Sequence, residues 1–120
     1  MPEPLIDEAY CAELERECGN DRALLGEYLQ MLMDMGGEIL AAMAAAAEQG
    51  DQEQLRRQAH RLKGGAGNLA CVAVVHWCAE REVAGTCCAA DLAEGRSLLE
   101  ASCQRLGQRW GVDLGPEPQH

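Results

Sequence analysis

Apolar residues recur along this chain at the spacing of an α-helix, from near the N-terminus to Trp110. They return every three or four positions, which places them on one face of a helix rather than on alternate sides of a strand. Glycines fall between these stretches, at Gly19, Gly50 and Gly85, where a helix commonly ends. The pattern predicts a chain of amphipathic helices.

Composition supports the same fold class. Phe is absent, aromatic residues make up 3% of the chain, and alanine is abundant while β-branched residues are few, which disfavours a β-sandwich or barrel. A chain of 120 residues is one domain by default. Short connections between four sizeable helices predict an all-α protein, an antiparallel four-helix bundle with a short additional N-terminal helix. We expect the domain to span residues 1–110 and residues 111–120 to be a frayed tail.

Each predicted helix has its own set of inward-facing residues. We expect the second helix to be capped by Asn20 or Asp21, the third by Asp51, and the fifth to start at Thr86 or Asp91. Gly36–Gly37 interrupts the second helix and indicates a kink or a close helix contact rather than a hinge. The methionines Met31, Met33, Met35 and Met43 are interpreted as core filler. The predicted inward sets, in chain order, are Ile6, Ala9, Tyr10, Leu14 and Cys18; Leu24, Leu25, Tyr28, Leu32, Met35, Ile39 and Met43; Leu55, Ala59, Leu62, Ala66 and Leu69; Val72, Val75, Ala79 and Val83; and Leu92, Leu99, Cys103, Leu106 and Trp110.

Charge and hydropathy exclude several classes of partner. A formal net charge of −10 makes the chain a poor nucleic-acid binder, because phosphate is repelled. No apolar run approaches the roughly 20 residues that cross a membrane, and the acidic start is unlike a signal peptide. We therefore expect a soluble, cytoplasmic protein with no direct membrane insertion. The preference for arginine and alanine indicates a GC-rich bacterial source.

The seven cysteines do not form a disulfide pattern. Their number is odd, and they include no CxxC pair. Cys11 and Cys18 are seven residues apart, as are Cys71 and Cys78, which is core spacing on a helix. We interpret them as small apolar side chains, with redox reactivity of the adjacent pair 87–88 or a chance metal site as alternatives. Zinc does not suit this spacing.

The segment 56–68, RRQAHRLKGGAGN, departs from ordinary helix composition. At about 100° per residue, His60 lies well away from the core stripe that starts at Leu55, and Arg56, Lys63, Gly64 and Gly67 share its exposed face. Three glycines inside one helix cost about 1 kcal/mol each relative to alanine. They leave a flat surface that another protein can approach closely.

Cations surround this histidine in an otherwise acidic chain. Arg56, Arg57, Arg61 and Lys63 are four of its ten cationic residues, and Lys63 is its one lysine. Neutral imidazole is a competent nucleophile near neutral pH, and neighbouring cations suit a negative group bound to it. Each feature alone has an ordinary explanation: an exposed histidine, a solvated basic face, or close helix packing. Together they indicate a histidine that accepts a phosphoryl group from a docked protein.

The stretch AHRLKGGAGNLA, residues 59–70, resembles the signature of histidine phosphotransfer (HPt) domains, H-x-L-K-G-x-x-x-x-x-G. His60, Leu62, Lys63 and Gly64 match in register, while Ala70 stands where the family often has its last glycine. The resemblance implies that His60 is phosphorylated, that Lys63 balances the phosphoryl charge, and that Gly64 leaves room for a receiver domain. Because Ala70 departs from the signature, the resemblance does not predict the conformation of the turn into the fourth helix.

The resemblance also implies partners and a scheme. A response-regulator receiver domain carrying phospho-aspartate docks on the third helix and an adjacent one, His60 Nε2 takes the phosphoryl group, and a second receiver aspartate accepts it; a hybrid sensor histidine kinase is a further partner. The Mg²⁺ belongs to the receiver, and this domain binds no cofactor. It is an intermediate rather than an autonomous kinase, since no ATP-binding domain is evident, and we expect a monomer. The predicted docking residues are Arg56, Arg57, Arg61, Gly64 and Gly67.

Other functions predict different features. The main alternative is a module that docks receivers without transferring phosphate. A metal-binding bundle using His60 or His76 would need a convergent set of Glu-x-x-His pairs; single carboxylate–histidine pairs can be found, but the sequence has no such set. The run 64–67 is not a phosphate-binding loop, because no strand precedes it.

Overall fold

A computed structural model describes residues 4–112 and 114 of the chain. This part of the chain contains five α-helices and no strand, so the expected all-α class is confirmed. Most of the tail expected at 111–120 lies outside the described residues. The helices are α1 (Glu8–Glu17), α2 (Arg22–Gln49), α3 (Gln52–Asn68), α4 (Val72–Ala84) and α5 (Ala89–Trp110).

Aspartates cap the first three helices, because a carboxylate oxygen accepts a hydrogen bond from a backbone N–H of the first turn. The side chain of Asp21 accepts from Leu24 N at 3.1 Å, and that of Asp51 accepts from Gln54 N at 3.0 Å. Asp51 was the predicted cap of α3, and Asp21 was one of the two residues predicted to cap α2. The prediction for α5 was wrong: its N-cap is Cys88, and Asp91 lies in the first turn, where its Oδ2 accepts from Cys88 N at 3.0 Å.

The four longer helices contact one another in sequence around a common core. α2 packs against α3 and α5, and α4 packs against the same two helices. Gly36 makes one of these contacts possible, because a Cβ there would collide with the Leu99 side chain of α5. The expected close helix contact is thus confirmed for Gly36. Gly37 has no atom within 4 Å of the position that its Cβ would take.

The inward faces predicted for α3 and for the second half of α5 are confirmed. All five predicted residues of the α3 stripe are buried. The buried set of α5 comprises Leu99, Cys103, Leu106 and Trp110, together with Gly95, Ser102 and Gly107.

The inward face predicted for α4 was wrong. Val83 is 84% exposed, and Val72, Val75 and Ala79 are only half-buried. The helix instead buries Ala73, Val74, Trp77 and Cys78. The contacts of Trp77 set the rotation of α4 about its own axis, because the indole packs on Gly95 of α5 and its Nε1 donates to Asp91 O at 3.1 Å.

Smaller corrections concern α1 and α2. Cys11 is the buried residue of α1, whereas Tyr10 is exposed. Tyr28 is exposed too, and Met31, expected in the core, is 65% exposed. Met43 is fully buried as predicted.

Charged side chains attach α1 to the end of α5. Arg109 forms ion pairs with Glu8 and Glu15, and its Nε lies 2.6 Å from Glu15 Oε2. The same Glu15 oxygen accepts from Trp110 Nε1 at 2.8 Å. All seven cysteines are free thiols. Five of them, Cys11, Cys71, Cys78, Cys87 and Cys103, are buried, as their interpretation as apolar side chains requires.

Within the described ranges, no helix is both long enough and apolar enough to span a membrane.

Candidate functional site

The site is built on the outer face of α3. Leu55, Ala59 and Leu62 bury the opposite face of this helix, so that His60 points away from the core. Its side chain is 71% exposed. The helical spacing predicted this position, and the structure places Lys63 one turn further along, half-buried beside α4.

A residue of α4 that sequence reasoning missed completes the site. The carboxylate of Glu82 contacts both α3 side chains: Oε2 lies 3.2 Å from His60 Nδ1, and Oε1 lies 2.6 Å from Lys63 Nζ. The Lys63 ammonium and then His60 hold the pKa of the Glu82 carboxyl below its usual value, against the opposing effect of burial. Glu82 is therefore a fixed negative charge at the base of the histidine.

No sequence signal pointed to Glu82. It lies 22 residues after His60, and the contact depends on the rotation of α4, which its apolar pattern predicted incorrectly. With Val74, Trp77 and Cys78 facing the core, Glu82 falls on the edge of α4 that adjoins α3.

The three arginines of the cluster differ in their contacts. Arg56 Nε donates to the backbone oxygen of Glu82 at 3.0 Å, and its guanidinium packs against Gly85. Arg56 therefore also joins α3 to the end of α4. Arg57 pairs with Glu53, one turn earlier on the exposed face. Arg61 donates to Gln58 Oε1 at 2.9 Å, on the side of α3 away from Glu82.

The glycines of α3 fall into two groups. A Cβ on Gly65 would collide with the methyl group of Met35, so that packing inside the domain accounts for this glycine. A Cβ on Gly64 would meet nothing within 4 Å, and one on Gly67 would make only an ordinary contact with Val75 at 3.8 Å. Close helix packing therefore explains Gly65 but not Gly64 or Gly67.

An apolar groove runs along the other side of α3, between it and helices α1 and α2. Its volume is about 460 Å³. Exposed or half-buried side chains form most of its wall, an arrangement typical of a surface that contacts another molecule. The lining residues are Tyr10, Leu14, Tyr28, Met31, Leu32, Met35, Gly65, Asn68 and Leu69.

Residues 4–112 and 114 hold no group of three or more His, Cys, Asp or Glu side chains that could bind a metal ion. His76 is exposed on α4.

Comparison with known proteins identifies the family. The family model of the Hpt domain matches residues 27–109, which include α3, α4 and nearly all of α2 and α5. No curated protein and no solved structure gives a significant match. Because the family model covers more than half of the chain, the chain belongs to the Hpt domain family, whose role is histidine phosphotransfer in phosphorelays.

Proposed function

We propose that His60 is the phosphoryl acceptor of this domain, and that it takes the group from a receiver-domain phospho-aspartate and passes it to the aspartate of another receiver. One observation carries the proposal: an exposed histidine stands beside a lysine and beside a glycine that nothing inside the domain requires. A glycine inside a helix costs about 1 kcal/mol relative to alanine. A glycine at position 64 is explained if another protein packs against this part of α3.

The chemistry requires little of this domain beyond positioning. The lone pair on His60 Nε2 attacks phosphorus, the N–P bond forms, and the bond to the aspartyl oxygen breaks with its electron pair going to the carboxylate. Transfer to the second receiver reverses these events. Lys63 Nζ offsets charge on the transferred group. In this proposal the receiver supplies Mg²⁺, and this domain contributes the nucleophile and the docking surface.

The docking surface that we propose combines two parts of α3. Gly64 and Gly67 provide the flat area next to His60, and Arg57 and Arg61 are exposed elsewhere on the surface of α3. The apolar groove adjoins it and offers Tyr28 and Met31 to a partner. Cations around an apolar contact suit a receiver, whose phosphorylation pocket is acidic, because such charges steer and orient docking.

The remaining parts of the proposal concern the whole domain. We propose that α2–α5 form an antiparallel four-helix bundle, since each packs against two of the others. The domain would act as a monomer in the cytoplasm of a bacterium, with a hybrid sensor kinase among its partners. The Nε of Arg56 donates to the backbone oxygen of Glu82. Its guanidinium remains positively charged, and in this proposal that charge contributes to docking.

The test is phosphoryl transfer from phosphorylated receiver domains with Mg²⁺, comparing the wild type with His60→Gln. His76→Gln is the matched control, since it changes an exposed histidine of the neighbouring helix in the same way. We expect an acid-labile, base-stable label in the wild type and the control, and none in His60→Gln. Receiver binding without label would favour a docking module that transfers no phosphate.

A second variant tests the docking surface. Gly64→Leu should abolish receiver binding, because its side chain would project from the flat area next to His60. Gly37→Leu is the control, since Gly37 is an open glycine of α2 outside the groove lining. Unchanged binding of Gly64→Leu would contradict this placement of the receiver.

A further inference from the structure

The first helix is attached to the domain differently from the other four. In the described part of the chain, the closely packed helix pairs are α2–α3, α3–α4, α4–α5 and α2–α5, and α1 belongs to none of them. Backbone hydrogen bonds hold the chain just before α1, where Asp7 N donates to Ala70 O at 2.9 Å. Ala73 N donates to Leu5 O at 3.3 Å. The helix itself is held by side chains on one of its faces.

That face of α1 pairs with the last turn of α5. Arg109 donates two hydrogen bonds to the Glu15 carboxylate, from Nε to Oε2 at 2.6 Å and from Nη2 to Oε1 at 3.2 Å. Arg109 also pairs with Glu8, and Trp110 Nε1 donates to Glu15 Oε2 at 2.8 Å. The side chains of Arg109 and Glu15 are only 29% and 20% exposed. Because a planar guanidinium meets both carboxylate oxygens in one geometry, this pair fixes the orientation of α1.

A second face of α1 forms one wall of the apolar groove. Tyr10 and Leu14 line the groove, and Tyr10 is 37% exposed. At about 100° per residue, these two side chains lie on average about 100° around the helix from Cys11 and Glu15, which face the domain. A rotation of α1 that broke the pair between Glu15 and Arg109 would therefore move Tyr10 out of the groove wall.

We propose that Arg109 and Glu15 are positioning residues for receiver docking, because their ion pair holds α1 at the rotation that presents its groove-facing side chains to a receiver. This inference rests on the proposed function, in which the groove contacts the receiver, and it adds two residues outside the groove lining. Replacing a shielded ion pair by apolar side chains of similar volume is often neutral for stability. What this pair provides beyond an apolar contact is a defined helix orientation.

The experiment uses a receiver domain that phosphorylates the wild type in the presence of Mg²⁺. Calorimetry gives the receiver Kd for the wild type, for Arg109→Gln and for the control Arg105→Gln, which removes the same charge from an exposed position of α5 one turn earlier. We expect about tenfold weaker binding in Arg109→Gln, the effect of losing one well-packed interface side chain, and no change in the control. Circular dichroism checks that the variants are folded. Glu15→Gln, which keeps the length of the side chain, should weaken binding in the same direction.

A double-mutant cycle separates positioning from a general loss of stability. Tyr10→Ala alone should weaken receiver binding, because it removes the groove wall directly. Adding Arg109→Gln to Tyr10→Ala should then have little further effect, since both substitutions act on the same wall. A purely structural role for Arg109 predicts instead that the two losses of affinity add.

Two results would overturn the inference: an Arg109→Gln variant that binds the receiver as tightly as the wild type, or losses from Arg109→Gln and Tyr10→Ala that add. Both leave the proposed function intact, because the wild type still binds the receiver and accepts its phosphoryl group. A wild type that accepts no phosphoryl group from any receiver would contradict the proposed function, and this inference with it.

Discussion

The methyl group of Met35 on α2 occupies the space that a Cβ on Gly65 of α3 would need. The neighbouring Gly64 has no such partner within 4 Å. Two adjacent glycines of one helix therefore serve different purposes. Gly65 allows α2 and α3 to approach, and Gly64 keeps the surface next to His60 flat.

This difference predicts unequal changes in stability for two otherwise identical substitutions. Gly64→Ala should raise the free energy of unfolding by about 1 kcal/mol, because alanine favours the helix and meets no obstacle. Gly65→Ala should gain less or become destabilising, since Met35 has to move. Urea unfolding of both variants measures the difference. Equal gains at the two positions would contradict the packing role of Gly65.

Ala70, which stands where the HPt signature often has glycine, has a left-handed backbone with φ of 64°. This conformation costs a residue with a Cβ about 1–2 kcal/mol relative to glycine. Ala70→Gly should therefore stabilise the domain by about 0.5–1 kcal/mol, after the greater chain entropy of glycine in the unfolded state is counted. Thermal unfolding checks the sign. A loss of stability would mean that the buried methyl group contributes more than the backbone strain costs.

Gly95 of α5 is covered by the indole of Trp77, whose Cζ2 atom lies 2.5 Å from the position of an added Cβ. Gly95→Ala should lower the free energy of unfolding by about 1–3 kcal/mol, because overpacking a rigid ring exceeds the gain in helix propensity. Gly37→Ala is the control in open space and should be stabilising. Urea unfolding with tryptophan fluorescence would follow both variants. A stabilised Gly95→Ala would show that the indole can shift.

Hydrogen bonds from Arg109, and then from Trp110, lower the pKa of Glu15, although burial acts in the opposite direction. A carboxyl group whose pKa is lower in the folded state stabilises the fold above its unfolded value of about 4.3, and this contribution is lost as pH falls through the folded value. Glu15→Gln should therefore reduce stability by about 1 kcal/mol at pH 7 and by less at pH 3.

The control for this prediction is Glu13→Gln, which removes the same charge from an exposed position of α1. Urea unfolding of both variants at the two pH values gives the comparison. An equal loss at pH 3 and pH 7 would show that the contacts of Glu15 do not depend on its charge.

Burial raises the pKa of three thiols, Cys71, Cys78 and Cys103, to about 12. These thiols are protonated at neutral pH, and the thiolate is the reactive form. Iodoacetamide at pH 8 should therefore modify exposed Cys88 first in the folded protein and all seven cysteines in urea, as mass spectrometry would show. Rapid labelling of Cys78 in the folded state would mean that α4 opens.

The sequence by itself determined the helical fold class and the positions of His60 and Lys63 on α3. Helix caps and stops such as Asp51 and Gly50 act within a few residues, and the α3 stripe has apolar side chains on one face alone. His60 and Lys63 follow from that register, because side-chain direction along one helix depends only on spacing.

Only the tertiary structure decided the rotation of α4 and the contacts that depend on it. α4 has apolar residues on both sides, so that its pattern allows either face to turn inward. The packing of Trp77 on Gly95 selects one. That choice exposes Val83 and brings Glu82 to His60 and Lys63. A contact between residues on two helices depends on the relative rotation of both, and side-chain packing across the interface sets that rotation.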